Sequence, residues 1–374
     1  MLESKKENLD AGYEIQDIYR AVDDSDKDYF EKLFPALINN KILIKKDEQE
    51  PPGKIVNVDF DITHRCNLSC VHCCVDAANR NEEEYLSTQE IFKIIDELAK
   101  LSLKSITISG GEAMMRKDFF EISRYLREHY NGFCSLMTNG TLIHEKNVAE
   151  LVKLYDAFDI SLDGFDEESC SKIRGKGVFA KVIHSVELLK ENGVSPDKIS
   201  LSMVETKLNY DKTGEFEKLN ERLGTKPMLR EFSPIGRGKE NGKELQLETV
   251  EGWAEIGPED SLYARTCTAG SRRIAINYDG AIYPCMLLNA EEFCLGNVRE
   301  ISNLCDFIDK EEFKHTSGFA NLLKLMPENS EKCSGCEYHM FCCYCLQERY
   351  ESLQNDTFDS YCSEIKRGRC NIWL

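Results

Sequence analysis

The sequence has no excess of positive charge. Its 66 acidic residues outweigh 47 basic ones, for a formal charge of −19, which argues against a general attraction to phosphate backbones or anionic membranes. Nucleic acid and membrane are therefore not expected as partners. No run approaches about 18 apolar residues, and the first residues, MLESKKENLDAGYE, contain no apolar stretch of signal-peptide length. A cytoplasmic location is expected. Internal repeats and low-complexity tracts are also lacking. What remains, 374 residues at 41% hydrophobic and 30% charged, suffices for a large core with one or two smaller modules.

Cysteine, by contrast, is abundant: there are 17, too many for packing in a chain expected in a reducing compartment, where a disulfide framework does not persist. Metal or cluster ligation is the default. Cys66, Cys70, Cys73 and Cys74 form one knot, and Cys333, Cys336, Cys342, Cys343 and Cys345 a second, while residues 75–266 hold only Cys134 and Cys170. In the first knot the spacing is Cys-x3-Cys-x2-Cys. Three thiolates leave one iron of a cubane cluster open for a substrate or cofactor, the arrangement of a cluster that does chemistry. Zinc is the alternative, but closed zinc sites usually pair two Cys-x2-Cys units, and here only Cys74 lies nearby. Cys74 is expected to point away and pack.

Three parts are expected along the chain. Residues 1–52 carry a helical pattern in DYFEKLFPALINN, a short extended KILIKK and the linker-like KDEQEPPG; they read either as a small winged-helix-like clamp or as a helical lid. From residue 53 to 238, strand and helix alternate. The strand segments are IVNVDFDI, KSITISG, FCSLMTNG, FDISLDG, ISLSMVET and PMLREFSPIG. Between the first two, Ser87 and Glu90 are spaced as a capping box ahead of Ile91, Ile94, Ile95 and Leu98 on one helical face. Six strands alternating with helices predict parallel βα units wound with one hand, an open or partial barrel. Chemistry in such a fold gathers at the C-terminal strand ends. The cysteine knot, Gly110-Gly111-Glu112, Thr138-Asn139-Gly140, Ser161-Leu162-Asp163-Gly164 and Ser202 all fall at that rim. Residues 239–374 lose the alternation; Gly280-Ala-Ile-Tyr-Pro-Cys285 predicts a hairpin turn into a strand, followed by short helical stretches.

The segments CNLSCVHC, ISGGEAMM, TNGT, SLDG and IRGKGVF, in this order on successive strands, resemble the radical S-adenosylmethionine (radical SAM) enzymes over residues 54 to 238. The resemblance implies an α/β fold, a partial (β/α)6 barrel. It also implies that Cys66, Cys70 and Cys73 hold a 4Fe-4S cluster whose fourth iron chelates S-adenosylmethionine. On the same likeness His72 contacts the adenine, Gly111 and Glu112 lie against the methionine amino end, Ser161 and Arg174 bind ribose and carboxylate, and Leu229 meets the adenine through its backbone. Arg174 suits the carboxylate because a guanidinium binds one bidentately. Reductive cleavage would then yield a 5′-deoxyadenosyl radical that takes hydrogen from substrate, the protein aiming it and excluding water.

The C-terminal cysteines resemble the SPASM domain, which carries auxiliary 4Fe-4S clusters in enzymes that modify peptides and proteins. By that likeness Cys267, Cys285 and Cys345 hold the first auxiliary cluster, and Cys333, Cys336, Cys342 and Cys362 the second. Two zinc ribbons are the alternative. Cys294 is the candidate fourth ligand of the first; an open iron able to bind a substrate thiolate is the other reading. The run has x2 before Cys345 where the family has x3, so Cys343 competes for a ligand position. Cys305 and Cys370 read as spare or packed.

Such a chain is expected to be a maturase of a ribosomally made peptide, installing a thioether or, less favoured, a carbon–carbon cross-link, with the removed electron passing to an auxiliary cluster. Residues 1–52 would recognise the leader peptide by strand addition, and a flavodoxin- or ferredoxin-type protein would supply electrons. The rivals are an anaerobic sulfatase maturase, another protein-modifying SPASM enzyme such as a quinone-cofactor maturase, and a non-catalytic iron–sulfur or zinc scaffold. Sulfatase maturases typically place a catalytic aspartate directly after the Gly-x4-Cys cysteine. Met286 stands there in this chain.

Overall fold

The computed structural model describes residues 27–39, 54–78, 83–247, 267–336, 342 and 344–365. Of the N-terminal segment this includes one helix, α1 (Lys27–Asn39); the extended KILIKK and the linker, like Cys343 and Cys370, lie outside the described residues.

The alternation is built as follows: β1 (Asn57–Asp61), α2 (Thr88–Ala99), β2 (Ser105–Ser109), α3 (Phe119–His129), β3 (Phe133–Thr138), α4 (Val148–Leu154), β4 (Ala157–Ser161), α5 (Glu167–Arg174), α6 (Val178–Glu191), β5 (Ile199–Glu205), α7 (Thr213–Leu223), β6 (Lys226–Glu231) and two short helices, α8 (Arg237–Glu240) and α9 (Gly242–Leu245). Each of these strands pairs in parallel with the next. Side-chain alternation then divides the sheet. Val58, Phe60 and Ile62 enter the core with Ile91, Ile95 and Leu98 of α2, whereas Asp59 and Asp61 are buried on the opposite face. α2 starts as the sequence predicts, with Ser87 and Glu90 capping each other. Its four buried residues, Ile91, Ile94, Ile95 and Leu98, contribute on the order of 1.5–3 kcal/mol each by burial.

The C-terminal part continues this sheet. It comprises β7 (Arg273–Ile276), β8 (Ala281–Tyr283), β9 (Gly296–Asn297), α10 (Leu304–Asp309), α11 (Ser317–Leu325), α12 (Leu346–Gln354) and α13 (Phe358–Ile365). β7 pairs in parallel with the free edge of β1, and β8 and β9 follow antiparallel, giving the order β6-β5-β4-β3-β2-β1-β7-β8-β9. An exposed strand edge is a liability, and β7 covers it. The predicted hairpin is present, its turn closed by Gly280 at φ +85°. The short α8 and α9 are absent from the sequence pattern, and so is a longer helix, α5, which ends on Arg174. Asp166 caps its start, reciprocally with Ser169, and Gly175 at φ +98° ends it. Among the described residues no helix is long and apolar enough to cross a membrane.

Candidate functional site

The loop after β1 carries Cys66, Cys70 and Cys73, close enough that Cys70 and Cys73 act electrostatically on Cys66 and Cys73 acts on Cys70. Burial pushes the Cys66 thiol up to about 11, with Glu112 and the other two cysteines adding to the rise; a bound iron would displace that proton. Each sulfur has an N–H group directed at it. Leu68 N–H donates to Cys66 Sγ at 3.4 Å and Ala77 N–H to Cys73 Sγ at 3.4 Å, while Asn139 Nδ2 lies 3.9 Å from Cys66 Sγ and Arg174 Nη1 3.8 Å from Cys70 Sγ. Donors on every sulfur suit thiolates, so the residues fit an iron–sulfur cluster. Among the described residues no three His, Cys, Asp or Glu side chains are grouped to share a single metal ion.

Neighbouring strand ends clamp the loop. Gly111 N–H donates to Thr63 O and Glu112 N–H to Arg65 O, laying the Gly-Gly-Glu turn against the start of the loop. A Cβ on Gly111 would stand 2.6 Å from Arg65 O and 2.7 Å from Ala77 Cβ, which only glycine avoids. From the end of β3, Asn139 Nδ2 donates to Asn67 Oδ1 and Asn67 Nδ2 donates to Thr141 Oγ1. Arg237 and Asn241 reach back to the carbonyls of Cys70, Ala77 and Val71. Cys74 is half-buried, and its thiol is pushed up to about 12 by desolvation and then by Cys73 and Asp61, with Arg230 opposing.

The sequence-predicted ligand residues fall into three situations. Glu112 is 1% exposed and accepts from Thr138 Oγ1, Asn139 N–H and Met114 N–H; burial still holds its carboxyl above the usual range. His72 and Arg174 both meet a residue the sequence reading had left without a role: Asp163, wholly buried at φ +60°. Its Oδ2 lies 2.7 Å from His72 Nε2 and 2.5 Å from Arg174 Nε, and its Oδ1 accepts from Val204 N–H at 2.6 Å. Burial alone would raise this carboxyl, but Arg174 and then His72 hold it well below the ordinary value. His72 Nδ1 is a buried polar atom with no hydrogen-bond partner among the described residues, an orphan that a bound cofactor would satisfy. Ser161 ends β4, in register with Ser202, whereas Leu229 lies within β6, two residues before its last residue Glu231, in register with Met203. The signal that could have found Asp163 is its place between the fourth strand and the capped α5: a left-handed turn aims a short acidic side chain back at the rim.

The cysteines of the C-terminal part are spread over several segments. Cys267 acts on both Cys285 and Cys345, which brings the three predicted ligands together from the segment before β7, the segment after β8 and the N-cap of α12. Cys294 donates to Gly296 O at 3.4 Å and bears on Tyr283; it is not among the groups bearing most strongly on Cys285 or Cys345. Cys336 N–H bonds Cys333 O at 2.9 Å in one tight turn. Tyr361, the neighbour of Cys362, donates to Cys345 O at 3.3 Å and feels both Cys345 and Cys342. Arg349 joins Cys333 to α13, donating from Nη2 to Cys333 Sγ at 3.2 Å with its Cζ 4.8 Å from the Phe358 ring centre. Phe358 and Cys362 share a face of α13 by their i, i+4 spacing.

Comparison with known proteins identifies the family. Residues 60–219 match the radical SAM superfamily and residues 267–337 the SPASM iron–sulfur cluster-binding domain. The chain is 30% identical over 307 residues to the mycofactocin maturase MftC of Mycolicibacterium smegmatis, covering 76% of each protein. It is 28% identical over 335 residues to an AdoMet-dependent heme synthase of Oleidesulfovibrio alaskensis, covering 77% of this chain and 81% of that one. Its fold resembles Streptococcus suis SuiB bound to S-adenosylmethionine, with a TM-score of 0.58 at 18% identity over 85% of this chain and 76% of SuiB. The chain therefore belongs to the radical SAM superfamily, in the branch bearing a C-terminal SPASM domain, and is an enzyme whose cofactors are 4Fe-4S clusters and S-adenosylmethionine.

Proposed function

We propose that this enzyme is a maturase of a ribosomally made precursor peptide and installs an oxidative cross-link, a thioether in preference to a carbon–carbon bond. The observation that carries the reading is the mutual influence of Cys267, Cys285 and Cys345, the first two flanking a hairpin continuous with the radical-generating sheet and the third at the N-cap of α12. Three ligands would leave an iron position for a substrate cysteine. MftC is a maturase by name, and SuiB is also known bound to its precursor peptide SuiA, in a structure this chain matches with a TM-score of 0.53. Both support a peptide substrate. Met286 after Cys285 speaks against the sulfatase-maturase rival.

When bound, the cluster and S-adenosylmethionine supply reductive cleavage to a 5′-deoxyadenosyl radical. The chain's own residues prepare for it. Cys66, Cys70 and Cys73 would hold the cluster, with Leu68, Ala77, Asn139 and Arg174 steadying the sulfurs. His72 and Arg174, fixed by Asp163, and the carboxylate of Glu112 would bind and orient the cosubstrate, with Gly111, Ser161 and Leu229 completing its cradle. Cys333, Cys336, Cys342 and Cys362 would hold a second auxiliary cluster, and a flavodoxin or ferredoxin would deliver electrons. Residues 1–52 would engage the leader.

The test is coexpression with a cysteine-containing precursor peptide, followed by mass spectrometry. A loss of two mass units per link, located by tandem fragmentation to a cysteine, is expected. Production of 5′-deoxyadenosine with unchanged peptide, but turnover of a heme precursor, would overturn the peptide reading in favour of the one supported by the heme-synthase relative.

A further inference from the structure

We propose that Arg349 poises the second auxiliary cluster for reduction: its buried guanidinium, bonded to the Cys333 sulfur, raises the reduction potential of that cluster. The inference rests on the assignment of Cys333 to that cluster and goes beyond it by naming the residue that poises its potential.

Arg349 is 2% exposed and among the largest fully buried side chains of the protein. A buried guanidinium is costly unless an anion or full hydrogen bonding offsets it. Here one Nη donates to Cys333 Sγ, the Phe358 ring covers the cation, and Nε has no hydrogen-bond partner among the described residues. A cysteine-ligated cluster is anionic and gains a further negative charge on reduction, so a fixed cation and a hydrogen bond at one sulfur both stabilise the reduced form.

Helix α12 holds the guanidinium in place: Cys345 is its N-cap, and Arg349 N–H donates to Cys345 O at 3.0 Å. The step affected is a one-electron reduction of the second auxiliary cluster by a donor of flavodoxin or ferredoxin class, with no bond made or broken.

The experiment is a potentiometric titration of the anaerobically reconstituted full chain, followed by electron paramagnetic resonance, for wild type, Arg349→Gln and Arg349→Lys. In Arg349→Gln one cluster becomes at least tenfold harder to reduce, a fall of 59 mV for one electron, while the other potentials stay in place; Arg349→Lys lies between. Unchanged potentials at full iron content would overturn the proposal. Should Arg349→Gln fail to load its clusters, Arg349→Lys decides alone, because it keeps the cation but draws it back from the sulfur, and no shift there is equally fatal. Cys333→Ala separates the underlying assignment: if it keeps every cluster signal, the ligand reading fails, whatever Arg349 does.

Discussion

The two cysteine regions are held by different means. Around Cys66, Cys70 and Cys73 the support comes from the ends of successive strands: Gly111 lies within contact distance of the loop backbone, Asn139 ties Asn67, and Arg174 arrives on a capped helix from beyond β4. Around Cys333, among the described residues, the sulfur is met by a buried cation, Arg349, covered by the ring of Phe358. A site that must bind, orient and cleave a cosubstrate needs many fixed contacts. The site proposed at Cys333, an electron acceptor, needs mainly the right charge beside it.

The comparison can be broken most sharply by removing one cysteine from each side. Cys66→Ala should abolish 5′-deoxyadenosine formation to background, whereas Cys333→Ala should retain it and lose peptide product; equal loss in both, assayed anaerobically with dithionite, would erase the distinction. Next in size is Asp163→Asn. Breaking a buried ion pair typically costs about 3–5 kcal/mol, and here it would release Arg174 and His72. The Kd for S-adenosylmethionine should rise about ten- to a hundredfold, each factor of ten being about 1.4 kcal/mol, with iron content kept. An unchanged Kd would show that Asp163 serves only the fold.

The smallest effect concerns β1, which joins the two regions: Asp61 bears on Cys74 and Asp59 on Cys285. Burial pushes the Asp61 carboxyl up to about 7, with Ser109 opposing and Asp59 adding to the rise. Between the ordinary carboxyl value and about 7 the folded protein binds more protons than the unfolded chain, so this group's cost is absent at low pH and grows as pH rises toward neutrality. Asp61→Asn should remove it, stabilising the protein at pH 8 by about 1–3 kcal/mol once water entry is allowed for. The urea midpoints of wild type and variant should converge toward pH 5. A constant difference across that range would mean that Asp61 is ionised throughout.

Much of the architecture was legible because it is local. Alternation in NVDFD and the Ser87–Glu90 cap are short-range patterns, and cysteine spacing records which thiols share a loop. α5 was missed because its eight residues include few apolar ones, and only Asp166 and Gly175 announce its ends. Gly-Gly-Glu was read as backbone near a ligand; in the structure the close approach is to the cysteine loop itself.

From the sequence alone came the strand–helix alternation and the three cysteines of the first knot, consequences of periodicity and spacing, while the division of the C-terminal cysteines into two sets is what the family resemblance implies. Only the tertiary structure decided that β7 closes the edge of β1, that Asp163 joins His72 to Arg174 across 91 and 11 residues of chain, and that Arg349 meets Cys333. Those pairings depend on where distant segments are brought together by a common core, and burial, not sequence proximity, determines which charges must find each other.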